Sequence, residues 1–310
     1  MNNRREKILL NNNWIGSIRI GNQYIDKENI SYLYQIDDPI IIDIDEDFEE
    51  IFLDSIPPQL NPKHNYHVIS EKHLNKDKVY YPNEKVTEEA KKEFIKRHYK
   101  PLHPHLYVFN ESFLDEKLLK IIRTGEIKVD KLTETGLYNF PLFTEQFCQK
   151  FIEEIEHYEQ SGLPVTRPNS MNNYGMILDD MGFTNFISEL RIKIVSMFSS
   201  VLYKDFVGNN LDGHHAFIVS YKIGEDTELD MHYDNSEVTL NVCLGKEFTG
   251  GDLYFNGLYD FPETHNEEVY VEHKVGMALL HVGKHRHGAT KIKSGERHNL
   301  IVWCTNSEYR

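Results

Sequence analysis

His232-Tyr233-Asp234 places two metal-competent side chains at i and i+2. On a β-strand that spacing aims both at one face of the sheet. His287 stands 53 residues after Asp234, in a cluster with His281 and His285. Two histidines and one carboxylate form the facial triad that holds Fe(II) while leaving coordination positions open. A His-x-Asp pair alone is weak evidence, and its weight here comes from the residues C-terminal to His287. Arg297 lies ten residues further on, beyond Lys293-Ser294-Gly295. Read as a three-residue hairpin loop with Gly295 left-handed, that segment pairs Ile292 with Glu296 and Lys291 with Arg297. His287 and Arg297 then share a face, roughly 13 Å apart at the strand rise. A five-carbon dicarboxylate chelating iron at one end spans about half of that, and the arginine side chain the rest. His285 falls roughly 20 Å away by the same rise, so His287 is the preferred third ligand.

Charge supports the pairing. Fe(II) brings +2, one aspartate −1 and 2-oxoglutarate −2, and one buried arginine neutralises the remainder. Its planar fork also matches a carboxylate, which lysine does not.

These residues lie in a part of the chain with its own pattern. After about residue 211 the apolar period changes from 3.6 to 2. Phe217–Tyr221, Val238–Leu244, Asp252–Phe255, Met277–His281, His287–Lys291 and Arg297–Cys304 read as short strands separated by Gly, Asp, Asn and Ser. Many short strands predict a sandwich or barrel. Upstream the pattern is helical. Val86–His98 reads as a charged helix and Phe113–Ile122 as a short amphipathic one. Thr144 is the expected N-cap of a helix carrying Phe147, Cys148, Phe151, Ile152, Ile155 and Tyr158, stopped by Gly162 and Pro164. Thr184 likewise precedes Phe186, Ile187, Leu190, Ile194, Val195, Phe198 and Val201, a core stripe. Trp14–Ile20 and Pro39–Ile44 are β-like, Asp43–Glu50 is acidic, and Pro57-Pro58 punctuates that region. The expected class is α+β: an N-terminal region over 1–100, helical support over 101–210, and a β core over 211–310.

The 310 residues are 40% hydrophobic and 12% aromatic, which is globular rather than disordered composition. Forty-nine acidic against 34 basic residues give a formal charge of −15, which argues against binding a phosphate backbone. No run suggests a membrane span or a signal peptide. Three widely spaced cysteines, Cys148, Cys243 and Cys304, suit free thiols in a reducing compartment, so the expected location is intracellular, soluble and cytoplasmic.

The blocks His232–Leu244, Phe248-Thr-Gly-Gly-Asp-Leu-Tyr-Phe255 and Ala278–Gly283, with His287 and Arg297, resemble the iron(II)- and 2-oxoglutarate-dependent dioxygenases. Within that superfamily the chain resembles the prolyl/lysyl-hydroxylase branch, especially the PKHD-type hydroxylases of plants. Arg167-Pro-Asn-Ser-Met-Asn-Asn-Tyr-Gly-Met-Ile-Leu-Asp-Asp180 and Lys100-Pro-Leu-His103 match blocks of the same group. The likeness covers most of 85–310 and is most specific in the last hundred residues. It implies a double-stranded β-helix (a jelly-roll, cupin-like core) whose open end carries the metal. It also implies Fe(II), 2-oxoglutarate and O₂, with ascorbate as reductant, and a protein substrate hydroxylated on proline or lysine, a small molecule being the other option. Tyr221 is implied as a second contact to the 2-oxoglutarate carboxylate, and Asn241 as part of the cofactor pocket. No catalytic residue beyond the metal ligands is implied. A nucleic-acid demethylase of the superfamily would be expected to show a second arginine soon after the first; Trp303 stands six residues beyond Arg297 instead.

Plainer roles suit other residues. Gly250-Gly251 fits a bulge or close strand approach. His265, His273 and His281 fit surface or core histidines, and Cys243 and Cys304 small core hydrophobes. Two other function classes compete: a non-catalytic β-helix module binding metal or 2-oxoglutarate, and a zinc hydrolase of cupin-like shape. The first would usually lack part of the constellation, and the second has no need of Arg297.

Overall fold

The computed structural model describes strands within 8–70, then residues 88–204 and 210–309. The acidic stretch 45–50 and Pro57-Pro58 lie outside the described residues. Two units are present: Met1–Tyr99 with Tyr158–Val165, and Lys100–His157 with Thr166–Arg310.

In the first unit, β1 (Ile8–Leu10), β2 (Asn13–Ile20), β3 (Gln23–Tyr24), β4 (Ile40–Ile44) and β5 (Tyr66–Ser70) form one sheet. Both β-like runs of the sequence are therefore strands, β2 and β4, and they pair antiparallel. The charged helix α1 lies at Glu88–His98.

The second unit opens with helix α2 (Glu116–Thr124), capped by the Asp115 carboxylate, then β6 (Asp130–Lys131) and β7 (Tyr138–Pro141). Helix α3 spans Glu145–Gln160, and its predicted cap is in place: Phe147 N donates to Thr144 Oγ1 at 3.2 Å. Strand β8 (Gly175–Ile177) precedes α4 (Thr184–Leu190), a π-helical turn at Arg191–Val195, and α5 (Ser196–Leu202). Here two expectations need correction. Thr184 is the first helical residue rather than a cap, and Phe183 holds the cap position without a side-chain bond. Val201 is 57% exposed, although the rest of its stripe is buried. Val201 stands in the last turn of α5, one residue from the helix end at Leu202, where the stripe runs out.

Nine further strands complete the unit: β9 (Gly213–Lys222), β10 (Leu229–His232), β11 (Val238–Gly245), β12 (Phe248–Gly250), β13 (Leu253–Leu258), β14 (Glu268–Val271), β15 (Met277–Val282), β16 (His285–Ala289) and β17 (Ile292–Thr305). They fall into two antiparallel sheets. The smaller has the order β10-β16-β13-β14; the larger has β6-β7-β15-β11-β17-β9-β8, with β12 on β17. Chain neighbours alternate between sheets, as β15, β16 and β17 do. This is the jelly-roll, or double-stranded β-helix, arrangement. Leu253, Phe255 and Ala289 of the smaller sheet face Phe217, Val219, Leu279 and Ile301 of the larger across the core.

The hairpin expected at Lys293-Ser294-Gly295 is not formed. β17 runs unbroken from Ile292, and Arg297 pairs with Tyr221 of β9, not with Lys291. Gly295 does take a positive φ, +77°, but inside the strand opposite Phe248 of β12. A left-handed glycine marks a bulge as readily as a turn, and sequence alone does not separate the two. No helix among the described residues is long and apolar enough to cross a membrane. Cys148, Cys243 and Cys304 are free and buried.

Candidate metal centre

Strand β10 ends at His232, which pairs with His287 of β16 across the antiparallel ladder, their rings 4.3 Å apart. Asp234 lies two residues beyond, where its backbone N–H donates to Gly283 O at 2.9 Å. His232 Nε2 is 3.6 Å from Asp234 Oδ1, and His287 Nε2 is 3.7 Å from Asp234 Oδ2. Two bonds of about 2.1 Å to a shared ion span at most about 4.2 Å, so these separations suit one coordination shell. Among the described residues this trio is the group of His, Cys, Asp and Glu side chains that could hold a metal ion.

The surrounding backbone sets the ring nitrogens. His232 Nδ1 sits 2.8 Å from Asp230 O, and His287 Nδ1 sits 2.8 Å from His285 O. A carbonyl only accepts, so each Nδ1 carries its hydrogen, which leaves each Nε2 as the nitrogen that faces Asp234 and would bind a metal. Thr239 Oγ1 donates to Asp234 Oδ2 at 2.6 Å and is itself bonded to Ser236. Burial works to raise the Asp234 pKa, but His287, His232, His281 and Thr239 together hold it below the usual carboxylate range. Burial pushes His287 down to about 3, against the pull of Asp234. Asp234 is therefore an anion beside a neutral imidazole, the protonation states a metal requires.

The other histidines spend their ring nitrogens elsewhere, although the His281 ring packs 4.8 Å from that of His287. His285 packs on Phe255, with Nε2 3.3 Å from Thr135 Oγ1. His281 bonds Val282 O, His273 bonds Met277 O, and His265 bonds Leu258 O.

Arg297 reaches the same cavity from the larger sheet. The triad, Arg297, Tyr221 and Asn241 all line one cleft. Arg297 is 1% exposed. Its guanidinium carbon lies 4.4 Å from the Tyr221 ring centroid, Nη1 donates to Gly251 O, and Nε has no protein partner. Gly250 and Gly251 both take φ of 71°, so the chain can bend beneath that arginine. His287 on β16 and Arg297 on β17 belong to different sheets, so the path between them crosses from one sheet to the other and does not run along a hairpin. Asn241 Oδ1 accepts from Asn299 Nδ2 at 2.6 Å, and Asn299 also meets His273 Nδ1 at 3.0 Å.

Thr239, Asn299, Asn169 and Asn172 also line this cavity, and sequence reasoning had assigned them no role. Two were within reach of it. Thr239 stands two residues before Asn241 and Asn299 two after Arg297, so strand alternation puts each on its partner's face. Asn169 and Asn172 come from a loop, where no periodicity applies.

A family model described as the OGFOD2-like domain matches residues 95–208. The 2-oxoglutarate and iron-dependent oxygenase domain-containing protein 2 of Xenopus tropicalis is 44% identical over 227 residues, 70% of this chain and 65% of that protein. The Arabidopsis thaliana 2-oxoglutarate and iron-dependent oxygenase domain-containing protein ICU11 is 36% identical over 295 residues, 86% of this chain and 74% of that one. Procollagen-lysine,2-oxoglutarate 5-dioxygenase 1 of Mus musculus is 29% identical over 207 residues, 62% of this chain but only 26% of the relative. With this extent of identity to the plant protein and a jelly-roll that gathers the triad in one cleft, the chain belongs to the family of 2-oxoglutarate and iron-dependent oxygenase domain-containing proteins.

Proposed function

We propose that the protein hydroxylates a prolyl or lysyl side chain of a protein substrate, with 2-oxoglutarate and O₂ consumed and succinate and CO₂ released. His232, Asp234 and His287 hold Fe(II), and ascorbate serves as reductant. The observation that carries this reading is the triad facing Arg297 across one cavity. Two imidazole nitrogens and one carboxylate suit Fe(II) and leave room on the metal for further ligands. A guanidinium with an unpartnered Nε in the protein interior is costly unless an anion joins it, which suits the distal carboxylate of 2-oxoglutarate. Tyr221 and Asn241 line the same pocket and complete the cofactor contacts.

Bound iron supplies the oxidative decarboxylation and the C–H oxidation. The chain's own residues bind, orient and exclude water. His232 and His287 are fixed by backbone carbonyls, and Asp234 is held anionic by Thr239 and the two rings. The protein-substrate choice draws on the likeness to the prolyl/lysyl-hydroxylase branch, and the mouse relative's name points to lysine. In this reading residues 101–210 support the β core.

The complete set of four residues favours catalysis over a module that only binds metal or 2-oxoglutarate. Succinate formation from 2-oxoglutarate, with and without Fe(II), separates the two. Iron-dependent turnover is expected, and iron binding without any turnover would overturn the enzymatic reading. Mass spectrometry of cell-extract proteins incubated with enzyme, Fe(II) and 2-oxoglutarate should then show one added oxygen on proline or lysine. Oxygen gained only by a small molecule would overturn the protein substrate.

A further inference from the structure

The loop from Arg167 to Tyr174 closes one side of the cavity, and its hydrogen bonds orient a short chain of amides. Arg167 Nε donates to Asn172 O at 2.7 Å, and Nη2 to Ser170 O at 2.8 Å, which holds the loop in shape. Asn169 Oδ1 accepts two backbone N–H groups, from Met171 at 2.8 Å and Asn172 at 2.7 Å. A backbone N–H can only donate, so that branch of the Asn169 amide is its oxygen and the other its nitrogen. The nitrogen donates to Asn172 Oδ1 at 3.1 Å. The second amide is thereby settled too, and Asn172 Nδ2 is the atom 3.2 Å from the Tyr221 hydroxyl.

A phenol has one proton to give and lone pairs to receive. Because Asn172 donates, the Tyr221 proton cannot point at Asn172 and is left to turn elsewhere. Asn172 is 2% exposed and Tyr221 3%, so bulk water does not compete for these bonds. Both residues line the cavity that holds Arg297.

We propose that Asn172, oriented by Asn169, is a positioning residue that keeps the Tyr221 hydroxyl proton directed into the cavity, where it donates to the carboxylate paired with Arg297. The inference rests on the 2-oxoglutarate reading above and adds a role for the Arg167–Tyr174 loop.

The test is calorimetric titration of 2-oxoglutarate into the anaerobic, iron-loaded full chain. Asn172→Asp replaces the donor by an acceptor, so the Tyr221 proton turns back to the loop. The 2-oxoglutarate dissociation constant then rises by about ten- to a hundredfold, the range for one hydrogen bond to a charged group. Iron affinity without 2-oxoglutarate stays at the wild-type value. A new carboxylate also repels an anion, so the same change is made in Tyr221→Phe, which has no proton to turn. The penalty should shrink there to the charge effect alone; equal penalties in both backgrounds overturn the relay. Asn169→Asp offers a second route that does not depend on how well Asn172→Asp folds. It keeps both backbone bonds but cannot donate to Asn172, whose amide then turns over and presents oxygen to Tyr221. Weaker 2-oxoglutarate binding is expected, and wild-type affinity overturns the proposal. Arg297→Ala is the control: unaltered affinity there defeats the cofactor reading and the relay with it. Weak binding in Arg297→Ala alongside wild-type affinity in both asparagine variants defeats the relay alone.

Discussion

In the proposed function, cofactor binding turns on Arg297. A cation 1% exposed, braced on Tyr221 and Gly251, has lost its water and kept an N–H unpartnered. Arg297→Ala leaves the incoming carboxylate without a partner, which costs about 2–5 kcal/mol by analogy with broken buried charge pairs. The 2-oxoglutarate dissociation constant should therefore rise roughly thirtyfold to several thousandfold. Arg297→Lys should recover part of this, since it restores the charge but not the fork. The ligand choice is testable at the same scale. His287→Ala is expected to abolish iron-dependent 2-oxoglutarate turnover, because its Nε2 stands 3.7 Å from Asp234. His285→Ala should retain iron affinity, since that ring belongs to Phe255 and Thr135. Loss of iron in His285→Ala with retention in His287→Ala would reverse the assignment.

Among the elements, the turn between β15 and β16 controls where Asp234 sits. Gly283 accepts from Asp234 N at 2.9 Å and donates to Glu237 O at 3.0 Å. A Cβ at Gly283 would come within 1.9 Å of Ser236 O, so the two backbones are too close for a side chain. Overpacking of this kind costs about 1–3 kcal/mol. Borne by the loop that carries Asp234, that cost appears in Gly283→Ala as a roughly five- to hundredfold loss of iron affinity. A metal titration monitored by fluorescence or calorimetry checks it, and wild-type affinity would mean the loop yields without moving Asp234.

For the whole molecule, buried neutral histidines make the fold acid-sensitive. Burial, with Arg297 adding to it, pushes His273 down to about 3. An unfolded chain protonates the same ring near 6.5. The unfolded state therefore binds the extra proton between those values, and stability present above about 6.5 is lost as pH falls toward 3. At about 1.4 kcal/mol per pH unit, His273 alone should cost roughly 2 kcal/mol between pH 6.5 and 5. His285, pushed to about 2, mainly by burial, acts in the same direction. Urea midpoints of the metal-free protein at pH 7 and pH 5 measure this; equal midpoints would show that these rings are not held neutral.

The sequence by itself carried the chemistry of the site and the kinds of element around it. His232 and Asp234 are legible as residue types at a close spacing, although Asp234 lies past the end of β10 and not on a strand with His232. Asn241 is legible because a polar residue inside an apolar run is conspicuous. The stripes of α3 and α4, and the cap at Thr144, are legible because they arise from contacts within a few residues. Other features were settled only in three dimensions. Gly295 adopts its left-handed geometry, but whether it turns the chain or bulges a strand depends on β12 pairing beside it. Strands β10 and β14 are four residues each, too short for a periodic signal, and β10 is held by β16, a partner distant in sequence. The pairing of Arg297 with Tyr221 and the reach of Asn172 to that hydroxyl join segments 76 and 49 residues apart. Local propensity sets what a segment can become; which sheet it enters, and what its side chains then face, is decided by burial of the jelly-roll core as a whole.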